Sequence, residues 1–299
     1  PFNYNTYTRM KKLLLLAAAA LTIVACKKDN NEPVNPNGGG NQKPVEVPAG
    51  FVKSIQEVSA DGTRTKTTTY NVENNVLKGW TEVNSNGDIY THTLEYKGAQ
   101  LSTYTSAESS VTRGNIVTKF NFLYENNKLT KIEKVRDGKK DVFNITVDDQ
   151  NRITSKHLVL NPTDGWDAGN TWTATFTYSG NTLVVKDPAD GSTYTYTYED
   201  GNVVRVEDSY RNNSVLTYDK TLVNDLNFEY FRWIYIAQLF VRHSDITLGN
   251  NDIFVRTSKN FLTSNGVRHY EVVEKQGNKP KKVNRKYGTN PDATIFYTY

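Results

Sequence analysis

The chain reads as an all-β protein, an antiparallel up-and-down meander curled or closed into a barrel. Three observations predict it. A hairpin motif recurs six times between residues 72 and 203. The segments around it alternate between greasy and hydroxyl-bearing residues, the period of strands with one buried and one wet face. Finally, 19 tyrosines accompany a hydrophobic content of only 37%, which suits half-buried strands better than a thick core.

In chain order, residues 1–25 come first. Met10, Lys11 and Lys12 supply a start and a positive n-region, and Leu13 to Ala25 is apolar but for Thr22. That run is too short for a membrane-crossing helix, which needs roughly 20 residues; it has the length of a signal-peptide core. Pro1 to Arg9 read as translation from upstream of the start, or as a mis-set start. Ile23-Val24-Ala25-Cys26 resembles the bacterial lipobox. The resemblance implies removal of residues 1–25 and diacylation of Cys26, and two acyl chains give a stable membrane anchor. A secreted protein with an incidental buried cysteine is the alternative. Cys26 is the only cysteine, so no disulfide can form within the chain.

Residues 26–49 read as the lipid anchor and a flexible linker. Lys27-Lys28-Asp29-Asn30-Asn31-Glu32 partly resembles the charged tag that sends lipoproteins to the outer face of the outer membrane. A lipid-anchored, cell-surface location is therefore expected, with the periplasmic side as the alternative. Pro33, Pro36, Gly38 to Gly40, Pro44 and Pro48 then mark a spacer without apolar periodicity. Three of the 36 basic residues (Arg9, Lys11, Lys12) precede Cys26, leaving 33 against 32 acidic ones. Near-neutrality gives no electrostatic footprint for nucleic acid.

Residues 50–299 read as a single β domain. In each copy of the hairpin motif an aromatic or valine closes one strand, turn residues follow, and Leu, Val or Ile opens the next. The copies are Val72-Glu73-Asn74-Asn75-Val76-Leu77, Tyr96-Lys97-Gly98-Ala99-Gln100-Leu101, Tyr124-Glu125-Asn126-Asn127-Lys128-Leu129, Val147 to Ile153, Tyr178-Ser179-Gly180-Asn181-Thr182-Leu183 and Tyr198-Glu199-Asp200-Gly201-Asn202-Val203. Asn and Gly belong there because tight hairpin turns need positive φ. Around them, Tyr194, Tyr196 and Tyr198 alternate with threonines, as do Ala174, Phe176 and Tyr178. About 14–18 strands are expected, enough that the sheet must curl or close. Longer connections are expected at Ser106 to Gly114, Arg136 to Lys140, Asn161 to Asn170 and Asp187 to Ser192, placing tight turns on one rim and loops on the other. Leu226 to Val241 breaks the rhythm. It reads as one short helical segment near 225–241, capped by Asn224 or Asp225, or else as a fully buried strand.

These motifs carry two resemblances. Tyr198 to Val203 looks like a degenerate tyrosine-Asp (Rhs-type) repeat. From Phe51 to Tyr299, with the lipobox, the Tyr/Asn hairpins, the late apolar segment and the Tyr-rich final strand, the chain resembles uncharacterised lipoproteins of gut-type bacteria. The resemblance implies a porin-like β-barrel and brings no activity with it. Integral outer-membrane barrels also end on an aromatic strand like Ile295 to Tyr299. Here, however, Tyr and Thr run through strand middles where a lipid-facing aliphatic band would be needed. A soluble barrel is favoured over an integral one.

No catalytic motif is present, and the four histidines (His92, His157, His243, His269) are scattered. No cofactor or metal is expected. Asp148-Asp149 and Asp187 to Gly191 read as turns, and Lys279 to Lys286 as a solvated hairpin. The candidate ligand site is the loop carrying Asp164, Trp166, Asp167, Asn170 and Trp172. Its indoles suit a sugar face and its polar groups sugar hydroxyls, though either indole could equally plug the barrel end. The expected function is a non-catalytic surface module binding a glycan, a small ligand or a partner protein. A structural subunit of an outer-membrane complex, an integral barrel and a glycan hydrolase are the alternatives.

Overall fold

The computed structural model describes residues 44–160, 171–188, 191–210, 212–227, 231, 234, 237 and 258–299. Cys26 and its charged tag lie outside the described residues, as do Asp164, Trp166, Asp167 and Asn170 of the candidate loop.

Nineteen strands follow one another. They begin with β1 (Ser54–Ser59), β2 (Thr65–Glu73), β3 (Val76–Asn84), β4 (Ile89–Lys97), β5 (Gln100–Ser110) and β6 (Gly114–Glu125). Next come β7 (Lys128–Arg136), β8 (Lys139–Val147), β9 (Ile153–Leu160), β10 (Trp172–Ser179), β11 (Thr182–Lys186) and β12 (Thr193–Glu199). The last are β13 (Asn202–Asp208), β14 (Asn213–Val215), β15 (Thr217–Val223), β16 (Asn260–Ser264), β17 (Arg268–Gln276), β18 (Lys279–Tyr287) and β19 (Asn290–Thr298). Each pairs antiparallel with its sequence neighbour, except that β14 and β15 do not pair with each other, and β1 also pairs with β19. The result is the nearly closed up-and-down barrel that the hairpin pattern predicts. The strand count exceeds the expected 14–18 because one run is divided: only Leu216 separates β14 from β15. The first part pairs with β13, the second with β16.

Turn chemistry explains the hairpins. Asn74 and Asn75 both have positive φ (52° and 61°), as do Asn126 and Asn127 (49° and 62°), the geometry whose twist matches that of the flanking strands. A feature the sequence pattern did not expose comes two residues into the second strand. There the register slips at Asn71/Val72, Glu95/Tyr96, Leu123/Tyr124, Thr146/Val147 and Thr197/Tyr198. Lys78, Ser102, Thr130, Thr154 and Val204 are the extra residues. The hydroxyls of Ser102 and Thr130 donate across the bulge to the carbonyls of Glu95 and Leu123. Bulges sharpen twist, and a barrel wall needs that twist.

Tyrosine then joins one hairpin to the one before. Tyr96 donates its hydroxyl to the Leu77 carbonyl at 2.7 Å and Tyr124 to Leu101 at 3.0 Å. Tyr218 does the same to Val203 and Tyr299 to Pro280. Each acceptor is the second residue of an earlier hairpin's second strand, so at Tyr96 and Tyr124 the Tyr–Leu motif is a stitch as well as a turn signal.

The alternation places the faces as expected. Ala174 and Phe176 are buried while Thr173, Thr175 and Thr177 are exposed, and Tyr196 is fully buried. Leu77, Leu101, Leu129, Ile153, Leu183 and Val203 form an apolar layer just inside the tight-turn rim. Phe231, Ile234 and Ala237 are helical and buried; spaced three apart, they share one helix face. Phe231 meets Trp80 at 5.4 Å and Tyr70 at 6.3 Å, and the Ala237 carbonyl accepts from Lys156 at 3.0 Å. Among the described residues of the apolar run, then, the helical reading holds, and these three fill the lumen.

Asp225, expected as a cap, instead ties chain segments together. Its carboxylate accepts from the Val52 amide and from Lys279, while Lys279 also donates to the Gly50 carbonyl. Asn224 forms the turn, accepting from the Leu226 amide.

Two of the expected loops are not loops. Ser106 to Ser110 continue β5, and Asp137-Gly138 is a two-residue turn with φ of 51° and 75°. The long 224–259 connection leaves from the tight-turn rim, so the two rims are less asymmetric than expected.

Candidate functional site: the polar mouth of the barrel

Moving along the lumen away from the tight turns, the inward face changes character on β2 to β7. The register puts Lys66 opposite Asn84, Glu82 opposite Tyr90, and Tyr90 opposite Glu108. His92 faces Ser106, Ser106 faces Thr118, and Thr118 faces Arg136. All lie on the face that carries Trp80, Leu94, Tyr104 and Phe120 deeper in. Together with Arg113 from the β5–β6 turn and Ile116, they line a cavity of about 580 Å³.

Deeper in, and joined to it through His92, is an aromatic ladder across four strands. Trp80 stacks on His92 at 4.4 Å and 17°, and Tyr104 stacks on Phe120 at 5.5 Å and 18°. His92 and Tyr104 are nearly parallel, and the His92 Nδ1 lies 2.8 Å from the Tyr104 hydroxyl. Burial pulls the His92 pKa down to about 4, with Glu82 opposing and Lys66 adding to the shift. The imidazole is therefore neutral at neutral pH.

The walls are charged in pairs. Lys66 meets Glu82 at 2.5 Å, and Arg113 meets Glu108 at 2.5 Å while donating to the Tyr90 hydroxyl at 3.2 Å. Asp88 braces the rim by accepting from the Val111 amide and from Asn86. Hydrogen bonds from Ser110 and Val111 keep its carboxyl below the usual range. Around the same rim Arg285 bridges Glu57, at 2.7 and 2.9 Å, and Asp292. Deeper polar groups are also paired: Lys134 sits 3.3 Å from Asp141 with both side chains buried. Among the described residues, no group of three or more His, Cys, Asp or Glu side chains could hold a metal ion.

Of the loop residues expected to form a site, Trp172 is described. It opens β10 opposite Leu158, half-buried, with its indole 5.8 Å from Phe143 and from the Lys156 ammonium. That places it against the lumen filling. The loop's flanks, Leu160 and Trp172, lie on the same rim as the mouth. The mouth itself escaped sequence reasoning. Its strands lose the greasy–wet alternation where the inward face turns polar, so Ser106 to Gly114 read as a loop. Tyr90 and His92 in step with Leu94 were the available signal.

The backbone is similar to a crystal structure of a porin-like protein from Bacteroides uniformis. The TM-score is 0.46 and the sequence identity 14%, over 87% of this chain and 99% of that one. No protein-family model matches the chain. No curated protein matches it either.

Proposed function

We propose that the chain is a lipoprotein anchored at the outer membrane through Cys26, and that its barrel is a non-catalytic module binding a glycan in the polar mouth. The observation that carries this reading is the cavity of about 580 Å³. Hydroxyls, a neutral imidazole and a tyrosine ring converge on it from three adjacent strands, β4 to β6. Sugars need that mixture: polar groups for the hydroxyls and a flat face for the ring. The exposed, outward Thr173, Thr175 and Thr177, and likewise Thr91 and Thr93, favour acyl chains over the barrel wall as the membrane contact.

Two experiments test this. Palmitate labelling of wild-type and Cys26→Ser protein in a diderm host tests the anchor; labelling that survives the substitution overturns it. A glycan array probed with the barrel domain and with Tyr90→Ala plus Thr118→Ala tests the mouth. Bound glycans should be lost in the double variant, and undiminished binding would move the site elsewhere.

A second reading has one observation in its favour. Glu82 and Glu108 flank Tyr90 on the inward face, and a carboxylate pair is what glycoside hydrolysis requires. Each is already held by a cation, Lys66 and Arg113, which supports binding over catalysis. Release of reducing ends from a bound glycan, abolished by Glu108→Gln, would reverse that preference.

A further inference from the structure

We infer that the mouth selects an acidic sugar, a uronic acid residue whose carboxylate is taken by Arg136. The inference rests on the glycan reading above and deepens it.

It follows from the charge inventory of the cavity. Three cations and two carboxylates line it. Lys66 is neutralised by Glu82 and Arg113 by Glu108. Among the described residues Arg136 is left with one acidic neighbour, Asp137, whose Oδ2 lies 3.6 Å from Nε and whose side chain is 75% exposed on the β7–β8 turn. Such a solvated contact neutralises little. The Arg136 side chain is itself only 26% exposed. Among the described residues, the mouth thus carries one weakly compensated positive charge at its wall.

Guanidinium geometry decides the ligand class. Its planar fork of donors matches a carboxylate bidentately, and charge-assisted bonds of this kind are about twice as strong as neutral ones. Thr118, the register partner of Arg136, and Ser106 beyond it stand ready for the ring hydroxyls. Tyr90 and His92 supply the flat wall. A neutral sugar would satisfy the hydroxyls and leave Arg136 without a counter-charge.

Titration calorimetry of the barrel domain with tetragalacturonate, its neutral galactose counterpart and a sulfated galactose oligomer tests the assignment. The uronate should bind at least tenfold more tightly than the neutral chain, and added salt should narrow the gap. Arg136→Gln should remove the preference, dropping uronate affinity at least tenfold toward that of the neutral chain. Arg136→Lys, which keeps the charge and loses the fork, should retain only part of it. Equal affinity for uronate and neutral chains, or an undiminished preference in Arg136→Gln, overturns this inference and leaves the glycan reading standing. Tighter binding of the sulfated chain overturns the carboxylate assignment. Binding of none of the three overturns both.

Discussion

The two ends of the lumen are built from the same strands and differ in what those strands turn inward. Near the tight turns the inward residues are Leu77, Leu101, Leu129, Ile153, Leu183 and Val203, closed over by helical Phe231, Ile234 and Ala237. Near the opposite rim β2 to β7 turn Lys66, Glu82, Tyr90, His92, Ser106 and Thr118 inward around a cavity. One end spends its side chains on burial, which is worth roughly 25 cal/mol per Å² of apolar surface. The other gives up that stabilisation for paired charges and hydroxyls, whose net worth to folding is small. A polar, hollow end adds little to stability, and it is where the proposed ligand site lies. Substitutions at the two ends should therefore behave differently.

The largest effect is expected at Gly79, where the ladder passes its first bulge. Its φ is +152°, and a Cβ there would fall 1.9 Å from the His92 carbonyl oxygen. Gly79→Ala should cost more than about 3 kcal/mol or abolish folding, as read from urea unfolding. Next, Leu101→Ala in the apolar end should cost about 2–5 kcal/mol. A smaller cost would mean that the end is loosely filled.

His92 sits between the two regions and gives a pH test. Its folded pKa is about 4 against an ordinary 6.5, so the native state holds it neutral. As pH falls below 6.5 the unfolded chain binds a proton that the folded chain refuses. Stability should therefore decline between pH 6.5 and pH 4, by up to about 3 kcal/mol in all. Urea midpoints across that window should fall less steeply in His92→Gln; an identical slope would show that His92 does not titrate this way.

Smaller again, Tyr96→Phe and Tyr124→Phe each remove one stitch and should cost about 1 kcal/mol. At the low end, Thr118→Ala in the mouth should stay within about 0.5 kcal/mol in thermal unfolding. A loss as large as that of Leu101→Ala would erase the contrast between the ends.

Much of the apolar end was legible in the sequence. Period-two alternation and Asn/Gly turns demand inward Tyr and Leu in a fixed register, and Phe176, Tyr196 and the turn pair Asn74-Asn75 lie where those rules put them. The bulges at Lys78, Ser102 and Thr130 were not legible, because an extra residue in a ladder leaves no mark of its own in composition. Neither was the mouth. A strand polar on both faces looks like a loop in one dimension, and only the register across β4, β5 and β6 brings Tyr90, Glu108 and Ile116 to a common wall. Asp225 likewise looked like a helix cap, because its bonds to Val52 and Lys279 span distances in sequence that no local rule reaches.

The central claim is that ligand enters at the polar end and leaves the apolar end untouched. Amide hydrogen exchange with and without tetragalacturonate tests it most directly. Slowed exchange is predicted in residues 82–92, 106–118 and 134–138, with the turns at 73–76, 97–100 and 125–128 unchanged. Protection confined to those turns, or to the candidate loop from Asn161 to Trp172, would contradict it.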